Sequence, residues 1–427
     1  MTDTPDPIAV RLAARAVAAR LASGARVERV DRHSDSALRA VVAEAEDLLG
    51  RSTVVFLVDD GSPELFTVRG LPLVPVSFSA RYVDLAFAVR EVLATSQLSD
   101  VREDLAASLA FRTVSEVLMR QQAWDFAVYT FLAGTFGGIS VDVGAFVNRM
   151  PDVPRDEAHL TALFFGLLHE FGHGAQPELT DRLGPPGYLA DDAITEWLYA
   201  LLSTELAVPG EWVPRLLLEA STVPTHPLNL ERLRDEIRAD LFAATALVRA
   251  GHRIMAYAGD SFQLARFAPE PTTAIVALWF LTVCRGLARH ISGCASTSDD
   301  VMRLFLHQAT LSVRLNFLYR YLGWWSEHWP NEPDAGRLSV QILDQTTAEL
   351  ADPMRQLDTG LSRVIRFVLF PEERPSAHEL LARFAAESEA NAWFRQEARR
   401  ICQLADASNA PPDHFPLQVL HTIGAGG

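Results

Sequence analysis

LTALFFGLLHEFGHG, residues 160–174, is an apolar run that closes on two histidines four positions apart. Its composition and length predict a buried helix over Asp156–His173, with Gly174 as its stop. Positions i and i+4 lie about 40° apart around a helix axis, so His169 and His173 project from one face on successive turns and can grip a single metal ion. Neutral imidazole suits zinc, and two imidazoles leave room for a third protein ligand and a water. Glu170 lies beside them, placed to act as general base on that water.

Two imidazoles alone hold an ion weakly, so a third ligand is expected downstream. The segment ERLRDEIRADLFAATALV, residues 231–248, places Glu236 and Asp240 at i and i+4 on one helix. Glu236 can then reach the metal while Asp240 accepts a hydrogen bond from a ligating imidazole and fixes its tautomer. The rival is Glu196 in DDAITEWLYALLS, residues 191–203, which is nearer in sequence but has Ala200 where the supporting acid would fall. Glu236 is the preferred ligand. A further donor is needed for charge developing on a substrate carbonyl. His252 and Tyr257, just past the ligand helix, are the first candidates, followed by Tyr188, Tyr199 and Arg238.

His169-Glu170-Phe171-Gly172-His173 followed by Glu236-Ile237-Arg238-Ala239-Asp240 resembles the HExxH plus ExxAD signature of gluzincin metallopeptidases. The spacing is closest to the HtpX-like branch, and the wording EIRADLFAA is similar to the ligand helix of the ImmA/IrrE peptidases, which place it nearer to HExxH. The resemblance covers about residues 156–250. It implies a zincin-like catalytic core with Zn2+ held by His169, His173 and Glu236, Asp240 behind them, and hydrolysis of peptide or protein substrates with Glu170 as base. In sites of this class the substrate backbone pairs with an edge strand. By order in the chain the candidate is Gly137–Val143, within GTFGGISVDVGAFV. HtpX-like proteins carry membrane helices and none is read here, so a membrane quality-control role does not transfer.

Composition narrows the classes further. The 427 residues carry 38 basic against 54 acidic groups, a net charge of -16, and are 49% hydrophobic and 22% charged. That is a folded chain rather than a disordered one, and its acidity excludes a nucleic-acid binder that relies on a basic surface. The N-terminal segment carries Arg11, Arg15 and Arg20 and reads as an amphipathic helix opened by Pro7, not a signal peptide. The longest apolar run, Thr272–Cys284, is closed by Arg285 and reads as too short to span a bilayer, so a cytoplasmic protein without membrane contact is expected. Cys284, Cys294 and Cys402 are too few and scattered for a disulfide framework.

The fold class expected is α+β, mainly helical, with a small sheet before the HExxH helix and a helical C-terminal region. STVVFLVDDGS and ELFTVRGLPLVPVSF read as strands, whereas Ile8–Leu21, Ala37–Leu49 and Val101–Leu132 have helical spacing. Helices are also expected over Asp191–Leu206, Asn229–Ala250, Thr272–Ile291, Ser298–Trp325, Ser339–Phe370 with a break, and Ser376–Leu404. Pro/Gly-rich breaks suggest an N-terminal α/β region (1–150), a metallopeptidase core (151–260), a helical domain (261–405) and a flexible tail (406–427).

Every basic residue is Arg, with no Lys anywhere, and the chain closes on Gly426-Gly427. A mobile Gly-Gly end on a protein without acceptor amines on its side chains suggests association with a ubiquitin-like conjugation system as a partner. Besides the peptidase reading, two others stand: a non-catalytic helical interaction or regulatory protein with a structural or absent metal, and a peptidase released by a regulatory protein partner.

Overall fold

The β-branched runs build one small sheet. β1 (Arg26–Arg29) pairs antiparallel with β2 (Thr53–Asp59), and β2 runs parallel to β4 (Val74–Ser79) with Thr53 opposite Val74. β4 in turn pairs antiparallel with β3 (Leu65–Thr67), giving the order β1-β2-β4-β3 and leaving β3 at an edge. ELFTVRGLPLVPVSF, expected as short strands broken at Gly70, forms a hairpin. It turns at Gly70, whose φ of 84° is open to glycine and costly for other residues. The computed structural model describes residues 6–425 apart from 22–24, 32–35, 60–62, 95–98, 137–156, 181–182, 184, 186, 205–209, 224–225, 227, 259–268, 294–297, 329–358 and 368–374. The expected strand Gly137–Val143 and Gly426-Gly427 lie outside these residues.

β2 is buried on both faces, which explains its unbroken apolar run. Val54, Phe56 and Val58 face helix α1 (Pro7–Ala18) through Ala9, Ala13 and Val17, forming a small separate cluster. Val55, with Val74 and Val76 of β4, faces the main core. That core runs from Leu38 to Leu420, so the parts expected as three separate domains contribute to one continuous cluster.

The helices are α2 (Ser36–Leu49), α3 (Ala80–Ala94), α4 (Ser99–Arg120), α5 (Trp124–Phe136), α6 (Glu157–Gly172), α7 (Pro177–Thr180), α8 (Asp191–Thr204) and α9 (Val213–Thr222). They continue as α10 (Leu230–Ala258), α11 (Pro269–Gly293), α12 (Ser298–His328), α13 (359–367), α14 (Ala377–Ala390), α15 (Ala392–Ala407) and α16 (Phe415–Ala425). The single helix expected over Val101–Leu132 is two, α4 and α5, because Gln122 takes φ 60° and turns the chain. Ser376–Leu404 also divides, at Asn391, whose side chain accepts from the Trp393 amide and starts α15. Residues 406–427, expected as a flexible tail, instead contain α16, which packs on α15 and α5 and buries Leu417 and Leu420. Two leucines at helical spacing supply the face that docks it.

The apolar run at Thr272 extends further than expected. Pro271–Gly293 is the one helix among the described residues long and apolar enough to cross a membrane. Its most apolar window is 83% buried within the protein, because α11 runs between α3, α4, α6 and α12. A helix surrounded by others is apolar all round without a bilayer.

A buried ion network joins α4 to α15. Arg112 of α4 donates to both oxygens of Glu397 on α15, and Arg400 pairs with Glu397 and with Glu116. Burial alone would raise the Glu397 carboxyl, but Arg400 and Arg112 outweigh it and hold it below its ordinary value of 4.5. A carboxylate depressed on folding adds stability above that ordinary value and loses it as pH falls through the lower folded value. Glu397→Gln is therefore expected to cost about 3–5 kcal/mol at pH 7. Urea denaturation should show the gap to the parent narrowing below pH 4.5, and a gap independent of pH would contradict it.

Candidate functional site

α6 and α10 cross at very close range, and a glycine makes this possible. A Cβ on Gly172 would lie 2.8 Å from the Ala239 Cα, so any larger residue would drive the two helices apart. The approach sets the HExxH end of α6 against the Glu236–Asp240 face of α10. His173 falls just past the last residue of α6, yet its amide still donates to the His169 carbonyl at 3.3 Å, so the i,i+4 relation persists. The two imidazole rings meet edge to face with centroids 4.7 Å apart.

Each imidazole has a distinct surrounding. His169 is 2% exposed; its Nδ1 lies 2.8 Å from Asp240 Oδ1 and its Nε2 3.5 Å from Glu236 Oε2. Burial pulls this imidazole down, but hydrogen bonds to Asp240 and Glu236 outweigh it and raise its pKa to about 9. His173 Nε2 lies 3.9 Å from Glu236 Oε1, while its Nδ1 is 3.4 Å from Arg69 of the β3–β4 turn. Burial, His169 and Arg69 together bring His173 down to about 4 against the pull of Glu236. Burial would raise Glu236, yet Arg314 and the imidazoles hold it charged, well below its ordinary value.

Glu170 sits on the adjoining face of α6, 8% exposed. Burial pushes its carboxyl up to about 7, with Glu236 adding to the rise and His169, Arg285 and a backbone hydrogen bond from Thr67 opposing it. Thr67 belongs to β3, so among the described residues this is the edge strand beside Glu170. The edge is anchored from behind by Glu64, which Arg285 of α11 reaches at 2.7 Å and which Arg120 of α4 also pairs. The Thr67 carbonyl accepts from Arg20 at 3.0 Å.

The structure brings together His169, His173, Glu170, Glu236 and Asp240. Glu196 is exposed on α8 and makes no ion pair with either histidine. Tyr199 is 49% exposed on the same helix, and Tyr188 donates to the Phe317 carbonyl. Arg238 pairs with Asp235 beside the site. His252 and Tyr257 lie on α10, but their side chains are outside the described residues.

Two residues of the site are not among those expected from sequence. Arg314 of α12 is 6% exposed; its Nε and one terminal nitrogen reach both Asp240 oxygens at 2.8 Å, and its other terminal nitrogen is 3.2 Å from Glu236. It thus sits behind both carboxylates. A signal for it exists: Arg314 shares a helix face with Leu311, Phe317, Leu318 and Tyr321, all buried, and a charge on such a stripe needs partners. Arg69 has no comparable signal, since it is an exposed loop arginine that only the hairpin carries to His173.

With His169 Nδ1 engaged by Asp240, its Nε2 is turned to one oxygen of Glu236, and His173 Nε2 faces the other. Tetrahedral zinc bonded at about 2.0–2.1 Å spaces its ligand atoms roughly 3.3–3.5 Å apart; the His169–Glu236 separation of 3.5 Å falls in that range and the His173–Glu236 separation of 3.9 Å is longer. Donor atoms of His169, Glu170 and His173 also lie within 4.8 Å of one another, a second way of holding an ion. Comparison of the chain with protein-family models, characterised proteins and solved structures found no match.

Proposed function

We propose that the protein is a zinc-dependent peptidase with a zincin-like core, in which His169, His173 and Glu236 hold the metal and Glu170 is the general base. The observation that carries this reading is the Glu236 carboxylate, whose two oxygens each face a different imidazole Nε2, at 3.5 and 3.9 Å. The alternative triad with Glu170 as ligand is disfavoured on charge. Glu236 is held ionised by Arg314, as a ligand must be, whereas burial leaves Glu170 near neutrality, as suits a group that takes and returns a proton. Glu170 also follows His169 directly, so it leaves the helix about 100° away from that imidazole.

Zinc, when bound, supplies a Lewis acid that acidifies water and polarises a carbonyl. The chain supplies the rest. Asp240 accepts from His169 Nδ1 and so directs Nε2 into the site, and Arg314 in turn holds Asp240. Glu170 takes the proton of the attacking water and delivers it to the leaving amine. Among the described residues β3 is the edge strand beside Glu170, and its Thr67 groups are committed to Glu170 and Arg20.

Metal analysis of the purified protein tests the proposal. One zinc per chain is expected, with cleavage of a mixed peptide pool that chelation stops and zinc restores. Glu236→Ala should weaken zinc by more than the roughly 10–100-fold typical of a supporting residue, and Glu196→Ala should leave it unchanged. A chain that takes up no zinc, or cleaves equally well without it, would overturn the reading.

A further inference from the structure

On the His173 side the site opens into a cleft of about 540 Å3. His173 forms part of its wall, and five charged residues line it with six small, apolar or hydroxyl ones. Arg69 comes from the β3–β4 turn, while Glu231, Arg234, Asp235 and Arg238 come from one face of α10, at the helical spacing of three and four. Three guanidiniums against two carboxylates leave a positive surplus, in a chain whose net charge is -16. Asp235 lies between Arg69 and Arg238 at 3.7 and 3.6 Å, which holds those two guanidiniums at the cleft.

We propose that this cleft, lined by Arg69, Arg234 and Arg238 beside His173, is a subsite for a carboxylate of the substrate peptide. The inference rests on the peptidase reading and deepens it by naming what the cleft selects: a carboxylate of the peptide. The same chemistry has two sources, an Asp or Glu side chain and a free chain terminus. A basic side chain would meet the surplus positive charge, whereas a carboxylate meets three arginines against the two acids Glu231 and Asp235. A locally positive cleft in an acidic protein also draws acidic peptides toward it over short range, an effect that salt screens.

The test is a binding measurement on full-length Glu170→Gln protein loaded with zinc, where the probe is not turned over. Four fluorescein-labelled octapeptides of otherwise identical sequence are compared by anisotropy: an internal Glu or Gln, each with a free or amidated C-terminus. A carboxylate is expected to tighten binding about tenfold or more. The arm in which it does so identifies side chain or terminus as the source. The preference should shrink at high salt and vanish in a variant that also carries Arg234→Gln and Arg238→Gln. Arg69→Gln, at a position with a 61% exposed side chain, gives a second variant that leaves the helices untouched and should lower the preference severalfold. Equal binding of all four peptides, no measurable binding of any, or a preference that survives both variants would overturn the proposal. Failure of the peptidase reading shows instead as missing zinc or missing cleavage, neither of which this measurement reads.

Discussion

Glu170→Gln is expected to lower peptide cleavage by a factor of about 10²–10⁴ while zinc content stays at the parent level. Glutamine preserves the shape of the side chain and a carbonyl oxygen for the Thr67 backbone hydrogen bond, so the β3 edge should stay in place. What it removes is the ability to accept a proton. Because Glu170 is 8% exposed and backed by β3, no water chain readily substitutes for it. The measurement pairs kcat/KM on a peptide pool with metal analysis of the same preparation. Loss of both rate and zinc would place Glu170 among the ligands, and full retention of rate would put the base elsewhere.

Arg314→Met should destabilise the fold by about 3–5 kcal/mol, the usual cost of removing one partner from a buried ion pair. The effect should be at the upper end because Arg314 serves two carboxylates at once. Asp240 is 1% exposed and would keep only His169 as a partner, and Glu236 would lose the cation that holds it ionised. Lysine is no substitute: its single ammonium cannot reproduce the fork that meets both Asp240 oxygens at 2.8 Å and Glu236 at 3.2 Å. Urea denaturation of the Met and Lys variants checks this. A loss below about 1 kcal/mol for both would mean the pair is solvated, as surface pairs are.

Arg314 also shows why α12 matters to a site otherwise built from α6 and α10. The C-terminal helices are part of the support of the carboxylates, so truncation before Ser298 would remove the same arginine from Asp240 and Glu236 that the point variant removes. The ion network at Glu397 performs a comparable task farther along, tying α15 to α4.

The HExxH helix is legible in the amino-acid sequence because i,i+4 geometry is local: once LTALFFGLLHEFGHG is helical, His169 and His173 must share a face. The pair Glu236 and Asp240 is legible on the same ground, as are the strands at Thr53–Asp59 and Val74–Ser79, whose β-branched runs have few other uses. A mainly helical α+β class follows from these patterns. The division of Val101–Leu132 into two helices is not visible in the sequence, since a single Gln122 in the left-handed region carries no composition signal.

The sequence by itself determined which side chains could act together within one helix, because backbone geometry repeats identically along α6 and along α10. Only the tertiary structure decided which helix faces which. The close crossing at Gly172 sets Glu236 beside the two histidines, and bringing Arg314, Arg69 and β3 there requires contacts between segments far apart in the chain. Such contacts follow from packing of the whole core rather than from any local run of residues, so an exposed loop arginine or a buried helical one becomes part of the site only when the chain has folded around it.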